Sequence, residues 1–69
     1  MTHLRSGQYP TDRELEVLVA FCTEQGTKGA ANRLRISPHT VRQHLESIRK
    51  RLGVATTASA VYLLRERLP

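Results

Sequence analysis

The chain has a single cysteine, no hydrophobic run of membrane-spanning length and no stretch in which apolar and polar residues alternate. Each absence removes a class of protein. Cys22 alone cannot staple the chain to itself, and with Val19, Ala20 and Phe21 beside it it is expected as a buried thiol. A helix that crosses a bilayer needs roughly 20 apolar residues, so no membrane partner is expected. Met1 to Gln8 lacks the apolar core of a signal peptide, which makes a cytoplasmic location the expectation. Without alternation there is no half-buried strand, and there is neither an internal repeat nor a low-complexity tract. At 69 residues the chain can bury one modest core, and a catalytic cleft with walls and a lid is hard to build at that size. Residues 1–8 are assigned to a flexible N-terminal segment and residues 9–69 to one domain.

Acid is scarce in one place. Between Arg33 and Arg51 stand six basic residues (Arg33, Arg35, Arg42, Arg49, Lys50 and Arg51) against one acid, Glu46. The remainder balances, with Arg5, Arg13, Lys28, Arg65 and Arg67 against Asp12, Glu14, Glu16, Glu24 and Glu66. The whole formal charge of +5 therefore comes from that short segment. Two readings of such a segment are open, a solvated helix face or a patch for a polyanion.

The same segment is built as an amphipathic helix from about Pro38 to Leu52. Ser37 is a good N-cap, because its hydroxyl accepts from an orphan backbone N–H of the first turn. Pro38 follows at the first helical position, where its missing donor is not needed. Val41, Leu45, Ile48 and Leu52 recur at steps of four, three and four, one helical stripe, and Gly53 closes the helix in the left-handed conformation. His39, Gln43, Glu46 and Lys50 lie opposite the stripe, flanked by Arg42 and Arg49. This face of base-edge readers and phosphate binders favours nucleic acid over a merely solvated surface.

Three more helices are expected. The first is capped by Thr11 in a T-D-R-E capping box with Glu14; Asp12 and Glu14 suit its positive end. Leu15, Leu18, Val19 and Cys22 form its apolar face, and it ends near Gln25 and Gly26. Asp12, Glu14 and Glu16 are taken as one solvated first turn. A short second helix spans about Thr27 to Arg35 with Ala30, Ala31 and Leu34 inward. A fourth, capped by Thr56, runs to about Arg67 with Ala60, Val61, Leu64 and Leu68 toward the core. Only Arg35 and Ile36 separate Leu34 from Ser37, so the second and third helices cross steeply. Two short helices joined this way, the second basic, form a helix-turn-helix, whose second helix enters the major groove.

These segments resemble a known family. T-D-R-E-L-E-V-L, from Thr11 to Leu18, resembles the T-x-R-E-x-E-V-L opening of the LuxR-type (GerE-type) DNA-binding domain. A-N-R-L-R-I-S-P-H-T-V-R-Q-H-L-E-S-I-R-K-R-L-G-V, from Ala31 to Val54, is similar to that family's A-x-x-L-x-I-S-x-x-T-V-K-x-H-x-x-x-I-x-x-K-L-G-V without a gap. The resemblance covers about Tyr9 to Leu64. It implies an all-α, four-helix domain of LuxR/GerE type, DNA binding, control of transcription and dimers formed through the fourth helix. The chain departs from the pattern in several places. Pro10 stands where the family has leucine, leaving Tyr9 to supply that packing. G-T-K-G-A-A between the first two helices is one residue short, and Gly29 weakens a brief helix. The arginine usual near Thr57 is absent, and Ser59 replaces a Glu or Gln of a second capping box.

His39 and His44 lie five residues apart and project about 140° apart around a helix, which rejects a shared metal. His44 sits beside the apolar stripe, and His39 lies on the exposed face. No nucleophile has an adjacent base, so the chain is not expected to be an enzyme and no cofactor is expected.

The expected function is that of a sequence-specific transcriptional regulator of double-stranded DNA. Base contacts are assigned to Arg42, Gln43 and Glu46, which match family positions that usually meet base edges, and to His39 on the same exposed face. Glu46 has two candidate partners, Lys50 one turn later and the amino group of a cytosine. Phosphate contacts are assigned to Thr27, Lys28, Arg35, Ser37 and Thr40 around the two helix starts, and to Arg49, Lys50 and Arg51 late in the third helix. A weak homodimer is expected through Ala58, Tyr62, Leu63 and Arg65. The alternatives are an interaction adaptor on the same fold and a nonspecific architectural binder. Family members usually carry a second, regulatory domain, so the chain is either a freestanding regulator or the excised end of a longer protein. Such a domain and RNA polymerase are the further partners to consider.

Overall fold

Four α-helices and a closing 3₁₀ turn make up the computed structural model, which describes residues 9–67. They are α1 (Asp12–Thr23), α2 (Thr27–Leu34), α3 (Pro38–Leu52) and α4 (Thr57–Leu64), followed by the turn Arg65–Arg67. No strand occurs among the described residues. The flexible segment expected at residues 1–8 and the core position expected for Leu68 fall outside the described residues.

Three of the four helix starts are made by the hydroxyls that the sequence offers, the exception being α2 with Gly26 at its cap. Thr11 Oγ1 accepts from the Glu14 N–H at 3.1 Å, and Glu14 Oε1 accepts from the Thr11 N–H at 2.9 Å, which completes the capping box. Ser37 Oγ accepts from the Thr40 N–H at 3.0 Å, with Pro38 in the first turn of α3. Thr56 Oγ1 accepts from the Ser59 N–H at 3.0 Å and donates to the Ser59 hydroxyl at 2.9 Å. Serine thus takes part in the cap without the reach of a glutamate.

The helix ends repeat one device. The N–H groups of Gly26, Ile36 and Val54 bond back to the carbonyls of Phe21, Ala31 and Arg49, each at 3.0 Å. The preceding residue in each case is left-handed: Gln25 at φ 58°, Arg35 at φ 59° and Gly53 at φ 69°. The expected ends of α1, α2 and α3 therefore stand. α4 is shorter than expected: its α-helical turns stop at Leu64 and tighten into the 3₁₀ turn.

The core takes Val17, Leu18 and Ala20 from α1, Ala30 and Ala31 from α2, Val41, Leu45 and Ile48 from α3, and Ala60 and Leu64 from α4. Tyr9, Leu34, Leu52, Val54 and Val61 pack on its margin, and Pro10 is buried. Tyr9 does pack where the family leucine is missing. The third-helix stripe is as expected, with Leu52 half-buried at its end.

The buried face of α1 is a correction. Glu14, Val17, Leu18 and Ala20 are its buried residues, whereas the expected Leu15 and Val19 are, like Phe21, only half-buried and Cys22 is exposed. The helix is turned by about one residue from the expected stripe. From Leu15 to Cys22 every residue but Glu16 is apolar, so periodicity does not choose the face. Glu14 does, because its carboxylate is drawn inward by a cation from α3. The short link between α1 and α2 has its own consequence. A Cβ on Gly29 would lie 2.7 Å from the Glu24 Cβ and 2.8 Å from its carbonyl oxygen. Glycine at 29, unfavourable for an isolated helix, is what lets α2 close onto the end of α1.

Candidate nucleic-acid interface

α3 presents the expected polar face. His39, Arg42, Gln43, Glu46 and Lys50 are all exposed, while Val41, Leu45 and Ile48 on the other side are buried. The helix is held along its length by the core and at its start by the Ser37 cap. Its exposed side chains therefore stand on a rigid support. His44 is half-buried beside the stripe. Among the described residues, no group of three or more His, Cys, Asp or Glu side chains is placed to hold a metal ion.

The charges of this segment are not equally available. Arg33 Nη1 lies 2.8 Å from Glu24 Oε2, an ion pair that joins α2 to the end of α1. Arg51 Nε lies 3.2 Å from Glu14 Oε1, whose side chain is 7% exposed. Lys50 Nζ lies 3.9 Å from Glu46 Oε1, with both groups largely in solvent. That is the loose helical pair expected for Glu46, weak enough to open. Lys28, Arg35 and Arg42 are exposed and form no ion pair among the described residues. Arg49 is half-buried, and its Nη1 donates to Thr57 Oγ1 at 3.0 Å.

Two of the assigned phosphate residues, Arg49 and Arg51, are thus half-buried and each has a partner within the fold. Arg51 faces Glu14 because a buried carboxylate without a counter-charge would be costly. Arg49 crosses to the first residue of α4, tying the end of α3 to the next helix. Thr40 is half-buried, and its hydroxyl shares a hydrogen bond of 2.9 Å with that of Ser37. Thr27 is half-buried at the start of α2, and Arg35 is exposed at its left-handed end.

Glu14, expected in a solvated first turn, is buried. Burial pushes its carboxyl up. Hydrogen bonds from the Ser47 hydroxyl and the Thr11 backbone, with the Arg51 charge, outweigh that and hold it below the ordinary carboxylate value. It therefore stays ionised and locks the first turn of α1 to the last turn of α3. Thr57 was not singled out either, because its role arises only when α4 docks.

A basic, rigidly mounted helix behind a tight α2–α3 turn is the geometry of a helix-turn-helix. The family model GerE, described as bacterial regulatory proteins of the luxR family, matches residues 11–64. The chain belongs to the luxR family. The match takes in all four helices of this luxR-family domain. The family is one of DNA-binding transcription regulators, and at that level the domain's activity follows from membership. No curated protein matches the chain, and no solved structure matches it. On the outer side of α4, Ala58, Tyr62, Leu63 and Arg65 are exposed, with Tyr62 at 64% and Leu63 at 46%. The Arg65 guanidinium lies 4.1 Å from the centre of the Tyr62 ring and donates to the Tyr62 carbonyl at 2.7 Å. No described helix is long and apolar enough to cross a membrane.

Proposed function

We propose that this domain is a sequence-specific transcriptional regulator that lays α3 in the major groove, with His39, Arg42, Gln43 and Glu46 toward base edges. The observation that carries this is the exposed side of α3. Arg42, Gln43 and Glu46 stand free of the core on a helix whose other side is fixed by Val41, Leu45 and Ile48. Arginine offers a forked donor to guanine, and glutamine a donor and acceptor to adenine. Glu46 rests near Lys50 and, in the complex, accepts from a cytosine amino group, leaving Lys50 to a phosphate.

Phosphate anchoring falls first to Lys28, Arg35 and Lys50, which are exposed, with the Thr27, Ser37 and Thr40 regions at the helix starts beside them. Such contacts fix register without reading sequence. Arg49 and Arg51 orient α3 from within the fold. Ala58 and Tyr62 lie along one line of α4, with Leu63 beside it and Arg65 at the start of the following turn, and this surface pairs two copies on DNA with two half-sites. A cytoplasmic location, with RNA polymerase or a regulatory domain as further partners, fits a regulator of this kind.

Selection of bound duplexes from a random-sequence pool tests the reading. A sequence-specific regulator enriches one motif. An architectural binder enriches none, and an adaptor retains no DNA at physiological salt.

A further inference from the structure

Among the exposed side chains of α3, His39, Arg42, Gln43, Glu46 and Lys50, only Gln43 and Glu46 carry an oxygen. Arginine and lysine donate hydrogen bonds and never accept them, and a carboxylate does the reverse. The middle turn of a basic helix therefore presents two acceptors side by side. Three residues apart, their Cβ atoms stand about 5–6 Å from each other on one side of the helix. The Gln43 amide has no partner among the described residues. The Glu46 carboxylate has Lys50 at 3.9 Å, with both groups largely in solvent. Neither oxygen is committed to the fold. The helix beneath them cannot retreat, because Val41, Leu45 and Ile48 are buried on its other side.

A pair of acceptors finds few partners in the major groove. The donors there are the N6 amino group of adenine and the N4 amino group of cytosine, whereas guanine and thymine present acceptors. In a Watson–Crick pair one hydrogen of each amino group is used by the opposite base. The other points into the groove, and it is the one that Gln43 or Glu46 can reach. A methyl group on that nitrogen must take the groove-facing position, since the remaining hydrogen is needed for the pair. Methylation thus removes the donor, sets a methyl group against the acceptor and leaves the charge of the DNA unchanged. A competing account turns the Gln43 NH2 toward a guanine or thymine acceptor and leaves Glu46 with Lys50, which makes both methyl groups harmless.

We propose that the middle turn of α3 senses the methylation state of its DNA site, with N6-methyladenine opposite Gln43 and N4-methylcytosine opposite Glu46 each weakening binding. This rests on the base-reading function above and adds to it a chemical mark on the DNA as a control of occupancy. The test begins with random-pool selection by the full 69-residue chain. The enriched motif is then made as duplexes that carry N6-methyladenine or N4-methylcytosine at one position at a time. Affinity and its salt dependence are read by fluorescence anisotropy. One adenine and one cytosine each lose roughly 5- to 150-fold in affinity on methylation, the range of one good base contact. The slope of log affinity against log salt stays the same, because no phosphate contact is lost. Gln43→Ala abolishes the effect of methylation at the adenine alone, and Glu46→Ala at the cytosine alone. The position that stays sensitive shows that each variant is folded and bound in register.

Tolerance of the methyl group at either base, or sensitivity that survives the matching variant, would overturn the proposal and leave sequence-specific binding standing. Failure of the selection to enrich any motif would overturn the base-reading function itself, and this proposal with it.

Discussion

Replacing Glu14 with glutamine isolates the charge that joins α1 to α3. Glutamine keeps an oxygen that can accept from the Thr11 N–H, so the capping box at 2.9 Å survives in outline. What disappears is the negative charge 3.2 Å from Arg51 Nε. Removing one member of a fully buried pair costs about 3–5 kcal/mol. Here the arginine side chain is 35% exposed, and water takes over part of its solvation. About 1–2 kcal/mol is the appropriate range, a fall of roughly 5–15 °C in Tm for a domain of this size. The pH dependence carries the sharper test. The folded carboxyl lies below its ordinary value, so its contribution is fully present above the unfolded carboxylate range. It is lost as pH falls through the folded value. Far-UV circular dichroism melts of the two proteins should differ at neutral pH and converge in acid. Equal Tm at neutral pH, or a difference that persists unchanged in strong acid, would refute the ion pair as the link between the helices.

Three further outcomes follow from the same contacts. Gly29→Ala should destabilise by about 1–3 kcal/mol in denaturant titration, because the clash with Glu24 at 2.7 Å outweighs alanine's better helix propensity. Lys50→Ala should weaken specific and nonspecific duplexes alike and lower the salt slope by about one; a changed base preference with an unchanged slope would contradict that role. Leu63→Glu should leave Tm nearly unaltered, since the residue is 46% exposed. In sedimentation it should abolish cooperative binding of two copies to a duplex with two half-sites, and cooperativity that survives would move the dimer surface elsewhere.

Much of the domain was legible because local chemistry and global packing agree. Thr11, Ser37 and Thr56 mark helix starts through their own hydroxyls, and the stripe of α3 admits one buried face. α1 was not legible in this way. Its apolar residues nearly encircle it, and the face is chosen by a carboxylate whose partner, Arg51, is 37 positions away in sequence. Gly29 looked like a weakness because the constraint on it comes from the end of the preceding helix. The exposed face of α3 could be named from spacing alone. Which cations remain available could not, because Arg33, Arg49 and Arg51 are engaged only once α1, α2 and α4 are in place.

Whether the exposed face of α3 reads bases is decided by the random-pool selection run side by side on the unmodified chain and on Gln43→Ala. Gln43 is exposed and lies away from the core, so the variant should fold with little change in stability. Base reading by this face gives the same motif with preference lost at one base pair, on the order of 1–3 kcal/mol of discrimination. An identical motif with an identical preference at every position would contradict it.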